Sequence, residues 1–313
     1  MYDTIDFCLS IADVEGVDFL QETPCYLESE TIGFHDWGGQ KVVSGYVGGL
    51  KVIANRYQVK VKDGSLCKYY LGSNLKAMGR SDTHRAIEKL SETLHLPMEK
   101  ATVTRIDVAQ NFIMKEPVKV YLNHLGRLAY ATRLEEPTGL YYCKQKEKLC
   151  FYDKVREQRT KKEEIPELYM GRNVLRYEQR FVKRLSVVFG VEKVTGALLY
   201  DEAFYSGLLD RWKGRYKEIS KINDVMANFN TIKGKQQLSQ IGILAYVKMC
   251  GGENAFLEQI NEARATGKLT PKQAFDLRAS VKNACKVKDG LVVPNEAIKE
   301  LDKKVLEAVR LYK

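Results

Sequence analysis

The chain has 313 residues, 44% of them hydrophobic and 29% charged, which is typical of a globular protein with a buried core. No stretch approaches the roughly 18 apolar residues of a membrane helix, and the amino terminus lacks a basic segment followed by an apolar one, so the sequence predicts neither a membrane span nor a secretion signal. The seven cysteines form no CxxC pair and the four histidines lack a zinc spacing, which argues against a disulfide framework or structural zinc and favours a reducing, cytoplasmic setting.

The first third of the chain has the pattern of strands and turns. Strands are predicted over residues 4–9, 50–54, 57–61 and 66–70, with a hairpin turn at 62–65. A helix capped near Ser81 is predicted to run to Leu94, because its apolar positions recur at helical spacing and Pro97 stops it.

Three later strands each place polar side chains on an otherwise apolar strand, at residues 104–109, 149–154 and 174–181. Side chains alternate between the two faces of a strand. Asp107, Tyr152 and Glu178 therefore oppose the apolar side of their strands. If the three strands are neighbours in one antiparallel sheet, a single face collects two carboxylates, a tyrosine and several cations.

The segments between and after these strands favour helices. Residues 117–130 have a helical pattern, and residues 157–167 suggest a charged loop or short helix. From about residue 194 the pattern is helical, with predicted helices at 210–220, 236–249, 253–265, 270–285 and 296–312. We therefore predict an α+β fold: an antiparallel sheet with flanking helices in a catalytic domain of residues 1–205, followed by a basic, all-helical accessory domain of residues 206–313.

The positive charge is concentrated in the last third. The chain has a net charge of +10, yet residues 1–210 contain 30 Lys and Arg against 29 Asp and Glu, whereas residues 211–313 contain 20 against 11. Such a segment attracts polyanions, with nucleic acid first among them. The alternative is a helical surface whose charge serves only solubility.

Asp107 and Glu178 are predicted metal ligands. Carboxylates are disfavoured in the middle of strands, so their presence needs a reason. Their hard oxygens suit Mg²⁺ or Mn²⁺, which can polarise a scissile phosphate. The alternative is a buried salt bridge with neighbouring arginines, and both can hold together. His35 is a further candidate ligand, although a capped turn explains it as well.

Tyr152 is the predicted nucleophile of a covalent mechanism. Its phenol needs help to ionise near neutral pH, and Lys154, two residues along the same predicted strand face, would favour the phenolate. The alternative is a tyrosine that merely favours a strand, and Tyr141, Tyr142 and Tyr177 remain substitutes for the role.

Six cations are predicted to contact DNA or phosphate. Arginines bind phosphate oxygens in bidentate fashion, and lysines in a hairpin tip can contact the DNA backbone. These residues are Arg105, Arg176, Arg180, Lys144, Lys146 and Lys148.

The three polar strands, in this order, resemble replication initiators of the filamentous-phage gene II/X type. More loosely, they resemble the rolling-circle initiators and relaxases of the replication-transfer superfamily. The matching words are Thr104-Arg105-Ile106-Asp107, Phe151-Tyr152-Asp153-Lys154 and Leu175-Arg176-Tyr177-Glu178-Gln179-Arg180, and the resemblance covers roughly residues 1–190. One departure is Asp153, where the phage family has a neutral side chain; alternation places it away from the site.

The resemblance implies an activity. Members of this family nick one DNA strand at a replication origin, become linked through tyrosine to the 5′ phosphate and leave a 3′ hydroxyl for a polymerase. It further implies single- and double-stranded origin DNA as partner, host helicase and polymerase as further partners, and the cytoplasm of a bacterial host as the location. A relaxase or transposase-like strand transferase, or an origin-binding protein without catalysis, remains the alternative. Oligomeric state and origin sequence stay open.

Overall fold

A computed structural model describes residues 1–34, 41–222, 232–286 and 295–313. It divides into two compact units. The first consists of Met1–Ile113, Tyr130–Tyr216 and Val305–Lys313, and the second of Met114–Ala129 and Lys217–Lys304. The functional division predicted after residue 205 stays a prediction.

Among the described residues, no helix is both long enough and apolar enough to span a bilayer.

A ten-stranded antiparallel sheet forms the first unit, with the spatial order β2-β3-β4-β5-β1-β6-β10-β9-β8-β7. In chain order, the strands are β1 (Tyr2–Ser10), β2 (Glu28–Phe34), β3 (Lys41–Val47), β4 (Leu50–Asn55), β5 (Gln58–Lys62), β6 (Thr102–Met114), β7 (Thr132–Glu136), β8 (Gly139–Cys143), β9 (Glu147–Asp153) and β10 (Asn173–Phe181). With helices around the sheet and in the carboxyl-terminal region, the fold is α+β, and the predicted fold class is confirmed.

The helices, in chain order, are α1 (Phe19–Glu22), α2 (Leu66–Leu71), α3 (Arg80–Leu94), α4 (Val118–Asn123), α5 (Lys154–Lys161), α6 (Leu185–Phe189), α7 (Glu202–Glu218), α8 (Lys235–Met249), α9 (Glu253–Ala265), α10 (Pro271–Lys286) and α11 (Glu296–Tyr312). The helices α8 to α11 agree closely with the predicted ones, because their apolar positions recur at helical spacing over many turns, whereas α7 begins at Glu202 and not at residue 210.

The three polar strands are neighbours at the centre of the sheet, in the order β6-β10-β9. Their apolar faces hold an aromatic column. The rings of Phe151 and Tyr177 stack at 4.4 Å between centroids, and Tyr177 stacks on Trp212 of α7 at 4.5 Å. This column is buried on one face of the sheet, so the polar side chains of the same strands must lie on the other face.

Two predicted elements near the site were wrong in type. Residues 66–70 were predicted as a strand but form α2, because the Ser65 hydroxyl accepts a hydrogen bond from the Lys68 amide and Gly72 ends the helix in the left-handed region. Residue 154 was predicted inside a strand but begins α5, because the Asp153 carboxylate accepts a hydrogen bond from the Arg156 amide. Asp153, the departure from the phage pattern, is therefore a helix cap.

Other predictions missed extent rather than type. The helix predicted over 117–130 is limited to α4, and the strands β2, β3 and β7 were not predicted. Glycines and exposed polar residues in these strands, two of which are the edge strands β2 and β7, hide the alternation that marks a half-buried strand.

The second unit has its own apolar core. Two small clusters of buried side chains, one around Leu244 and one around Val247, join α8 to α9 and α10. In the same unit, the Tyr121 hydroxyl of α4 donates a 2.5 Å hydrogen bond to the Glu300 carboxylate of α11. The helices of this unit are therefore held by packing as well as by connectivity.

Candidate active site

A polar cavity of about 840 Å³ opens on the face of the sheet opposite the aromatic column. It lies within the first unit and brings together six of the ten predicted site residues. Those lining it are Arg105, Asp107, Tyr152, Lys154, Glu178 and Arg180. Asp107 and Glu178 therefore share one face of the sheet, as strand alternation required.

Tyr152 is the residue on which the site chemistry centres. Its hydroxyl donates a 3.1 Å hydrogen bond to Oε2 of Glu178, and Arg176 lies directly opposite it on the neighbouring strand β10. Burial raises the pKa of the Tyr152 phenol well above its ordinary value, while Arg176 acts in the opposite direction. In this arrangement the phenol keeps its proton, and Glu178 is the nearest group that can accept it.

Both carboxylates are buried and fully engaged. Asp107 receives a two-pronged contact from Arg105, with Nε at 2.9 Å from Oδ1 and an amino nitrogen at 2.5 Å from Oδ2. Arg180 Nε is 2.7 Å from Glu178 Oε1 and 3.8 Å from Asp107 Oδ2, so one guanidinium bridges the two acids. The salt bridges that the sequence left open are therefore present, and they are charge-assisted pairs.

The two carboxylates differ in their electrostatic surroundings. Burial and the negative charge of Glu178 raise the pKa of Asp107, although Arg105 opposes the change. Arg176 and Arg180 overcome the burial of Glu178 and lower the pKa of that carboxyl. Glu178 is thus the firmly ionised member of the pair.

Arg176 is the buried centre of the cluster. It contacts Glu178 at 3.4 Å and Asp3 of β1 at 2.5 Å, and it donates to the side-chain oxygen of Asn111 at 3.1 Å. Sequence reasoning missed Asp3, because alternation assigns it to the apolar face with Ile5. An irregularity in the β1–β6 register between Tyr2 and Ile5 lets Asp3 reach the cavity instead.

Lys154 lines the cavity from the first turn of α5. Its ammonium is buried and forms a 2.7 Å ion pair with Glu157. Burial lowers the pKa of Lys154, and the nearby Arg176 lowers it further. The cation with the main electrostatic effect on Tyr152 is therefore Arg176, and not Lys154 as the sequence suggested.

The predicted lysine trio does not line the cavity. Lys144 and Lys146 lie at the β8–β9 turn, where the Lys144 ammonium is 3.8 Å from Glu147 and the Lys146 carbonyl accepts from the Val182 amide. Lys148 lies in β9 with its ammonium 4.3 Å from the centroid of the Tyr141 ring. Their proposed contacts with DNA stay a prediction.

Other cations at the cavity were not predicted. Lys68 comes from α2, whereas Arg156 and Lys161 come from α5. The signal for Arg156 and Lys161 was present as the charged stretch after Asp153, but only the fold shows that this helix borders the cavity. Together with Arg105, Lys154 and Arg180, they give the lining six cations beside five carboxylates.

Metal binding stays a prediction. Within the described residues, no cluster of three or more His, Cys, Asp or Glu side chains could hold a metal ion. The candidate ligand His35 lies outside the described residues.

Comparison with protein families finds a match over most of the first unit's sequence. The family model for the amino-terminal region of the phage replication-associated protein, the gene II protein, matches residues 1–198. This range includes the whole sheet and every residue that lines the cavity. The comparison with curated proteins finds no match.

Proposed function

This chain belongs to the phage replication-associated protein family of the gene II type, and we propose that it initiates replication by nicking one strand of the origin with Tyr152 as nucleophile. The observation that best supports the proposal is the Tyr152 hydroxyl, which donates a hydrogen bond to the buried Glu178 carboxylate in a cavity that Arg105 and Arg180 also line. The family match confirms the resemblance to gene II/X-type initiators seen in the sequence.

In the proposed reaction, the Tyr152 oxygen attacks the scissile phosphorus. A bond forms between the phenol oxygen and phosphorus, and the bond between phosphorus and the 3′ oxygen breaks. The phenol proton passes to Glu178, which lies within hydrogen-bond distance, and the departing 3′ oxygen takes a proton from water. The products are a 5′-phosphotyrosine linkage and a 3′ hydroxyl that can prime a polymerase.

Arg105 and Arg180 are the groups best placed to bind the phosphate. Their side chains are 28% and 32% exposed, in contrast with the buried Arg176, so they can turn toward a ligand in the cavity. Two guanidiniums beside the nucleophile would stabilise the charge that develops on the phosphate oxygens. Arg176 would act on the phenol instead, since it is already held by Asp3 and Glu178.

The donor set also fits a divalent cation. The guanidinium of Arg180 bridges Asp107 and Glu178, which marks a position where both acids stabilise positive charge. Mg²⁺ commonly binds through one or two carboxylates together with substrate phosphate and water. We propose that Asp107 and Glu178 hold Mg²⁺ or Mn²⁺ once Arg180 has turned away, and that the bound ion supplies Lewis-acid polarisation of the phosphate.

Binding of Mn²⁺ alone tests this part of the proposal. Calorimetric titration of the wild-type chain should show a site that is lost in Asp107→Asn and strengthened in Arg180→Gln, because the latter removes the competing cation. Asp276→Asn, which changes an exposed carboxylate outside the cavity, is a matched control. Equal Mn²⁺ affinity in the wild-type, Asp107→Asn and Arg180→Gln chains would contradict the metal assignment.

The basic second unit is proposed to bind duplex or single-stranded origin DNA. Three exposed lysines follow one face of α10, and no ion pair is found for them among the described residues, namely Lys272, Lys282 and Lys286. Several uncompensated cations on one helix face suit a DNA backbone. Host helicase and polymerase remain proposed partners, and the host cytoplasm the proposed location.

A second candidate function has its own observation. Every oxygen of Asp107 and Glu178 already has a partner, as expected of a structural network in a non-catalytic origin-binding protein. Relaxase- or transposase-like strand transfer would use the same residues on a different substrate. These functions use the same residues in the same positions, so an assay of nicking and strand transfer is needed to distinguish them.

The decisive experiment is nicking of a supercoiled plasmid that carries the replicon's own origin. The wild-type chain should convert it to open circles with protein linked to the 5′ end. Tyr152→Phe should abolish both nicking and linkage while DNA binding survives, because only one oxygen is removed. Tyr57→Phe, which changes an exposed tyrosine outside the cavity, is the control. An adduct formed by Tyr152→Phe would contradict the assignment.

A further inference from the structure

A second tyrosine, Tyr141, borders the same cavity one strand away from Tyr152. Both residues lie on the cavity face, since Leu140 and Tyr142 of β8 are buried on the opposite one. Gly139, two residues before Tyr141, pairs directly with Tyr152 in the β8–β9 register. Any group that extends from Tyr141 toward Gly139 therefore approaches the proposed nucleophile.

The Tyr141 ring does extend in that direction. A Cβ placed on Gly139 would lie 2.9 Å from the Tyr141 hydroxyl oxygen and 3.1 Å from its ring carbon Cζ. Real Cβ atoms do not approach other atoms this closely without displacement, so only glycine at position 139 leaves room for the ring. Because position 139 has no side chain, the hydroxyl end of the Tyr141 ring reaches the space next to Tyr152.

Lys148 completes this arrangement. Its ammonium lies 4.3 Å from the centroid of the Tyr141 ring, within the distance of a cation–π contact. Lys148 is also the direct partner of Arg180 across the β9–β10 pair. A ring held by a lysine beside a row of arginines combines an aromatic surface with positive charge.

These two features are the ones by which proteins bind single-stranded nucleic acid. Successive bases stack on aromatic rings, while cations follow the phosphate backbone. The cavity of about 840 Å³ lies within the size range of small-ligand sites and can admit a nucleotide. Tyr141 lies on β8, the strand next to the one that carries Tyr152. A base next to the scissile phosphate would therefore contact Tyr141.

We propose that Tyr141, held by Lys148 over Gly139, is the stacking platform for a nucleobase adjacent to the scissile phosphate of single-stranded DNA. This inference rests on the proposed nicking function, because it names how that site positions its substrate. Tyr141 acts here as a positioning residue, and Tyr152 remains the nucleophile. The ring is required, whereas the hydroxyl is not.

Fluorescence of a base analogue tests the platform without requiring cleavage. The full chain with Tyr152→Phe is mixed with short single-stranded oligonucleotides that carry one 2-aminopurine at successive positions. Stacking should quench the analogue at one position. Replacing Tyr141 by Leu should remove the quenching and weaken binding roughly 5- to 150-fold, since one base stack is lost. Tyr141→Phe should keep both.

Two further variants guard against a simple loss of folding. Gly139→Ala should push the ring away and reproduce the loss of quenching with Tyr141 itself unchanged. Tyr57→Leu is the control for removing an exposed tyrosine elsewhere. Circular dichroism identifies any variant that fails to fold. If Tyr141→Leu fails to fold, the quenching measured with Gly139→Ala tests the stacking instead.

Three results would overturn the proposal. Quenching that survives both Tyr141→Leu and Gly139→Ala would show that no base stacks on this ring. Equal losses in Tyr141→Phe and Tyr141→Leu would show that the hydroxyl matters, as for a second nucleophile. Quenching that is absent from every position in the Tyr152→Phe chain would also refute stacking. Since this assay needs no cleavage, its failure is distinct from a failure of Tyr152 to form an adduct.

Discussion

Replacement of Arg176 by Met is expected to destabilise the protein strongly. Arg176 is almost completely buried and offsets two buried carboxylates, Asp3 at 2.5 Å and Glu178 at 3.4 Å. Removing one partner of a buried ion pair leaves an uncompensated charge and costs about 3–5 kcal/mol. For a unit of this size, that corresponds to a fall in melting temperature of roughly 6 to 20 °C.

Urea unfolding followed by circular dichroism measures this cost. The matched control is Arg80→Met, which breaks the exposed pair between Arg80 and Glu202 at 3.4 Å. An exposed pair contributes about 0–1 kcal/mol. Asp3→Asn combined with Arg176→Met should be less destabilising than the sum of the single changes, because removing Asp3 also removes a charge left unpaired.

A cost for Arg176→Met no larger than that of Arg80→Met would refute this reasoning. It would mean that water or side-chain movement compensates the carboxylates, and that the three central strands do not depend on charge balance. Purely additive effects in the double variant would show that Asp3 and Arg176 do not stabilise each other, although their side chains lie 2.5 Å apart.

Three further predictions concern other parts of the chain. Burial raises the pKa of the Cys67 thiol to about 12. A maleimide at pH 8 should therefore label the exposed Cys25, and it should label Cys67 only after unfolding. Mass spectrometry of the labelled peptides measures both. Phe151→Ala should cost about 3–5 kcal/mol in urea unfolding, since it removes a ring from the buried aromatic column; a cost below about 1 kcal/mol would contradict that role. The third prediction concerns three lysines of α10, Lys272, Lys282 and Lys286. When all three become glutamine, the slope of log DNA affinity against log salt concentration should become about 2 to 3 less steep. An unchanged slope would show that these residues do not contact DNA.

The sequence predicted the site as far as strand alternation extends. Tyr152, Asp107 and Glu178 were assigned to one face because each sits among apolar neighbours at period two, and the cavity does collect them. The aromatic column on the other face follows from the same period. Long helices such as α8 were predicted almost to the residue, since many turns repeat the signal.

The remaining features of the site could not be predicted from the sequence, chiefly because they depart locally from strand alternation. Asp3 reaches the cavity through a register irregularity, which depends on how β1 meets β6 and leaves no mark in the sequence of β1 alone. Lys154 left the strand because Asp153 caps a helix, and one capping residue in a strand-like segment is a weak signal. The role of Gly139 depends on its partner across the sheet, so the sequence of β8 could not reveal it.

The charge balance of the cluster bears on how a phenol with a raised pKa could act as a nucleophile. Without DNA, Arg180 lies on Glu178 and helps keep the pKa of that carboxyl low, which makes it a poor proton acceptor. In the proposed mechanism, an incoming phosphate competes for Arg180. As the guanidinium turns toward the phosphate, Glu178 loses that positive charge, and until a divalent cation takes the place of Arg180 its affinity for the Tyr152 proton rises. Substrate binding thereby activates the base beside the nucleophile, and Tyr152 stays protonated until the phosphate that it attacks is in place.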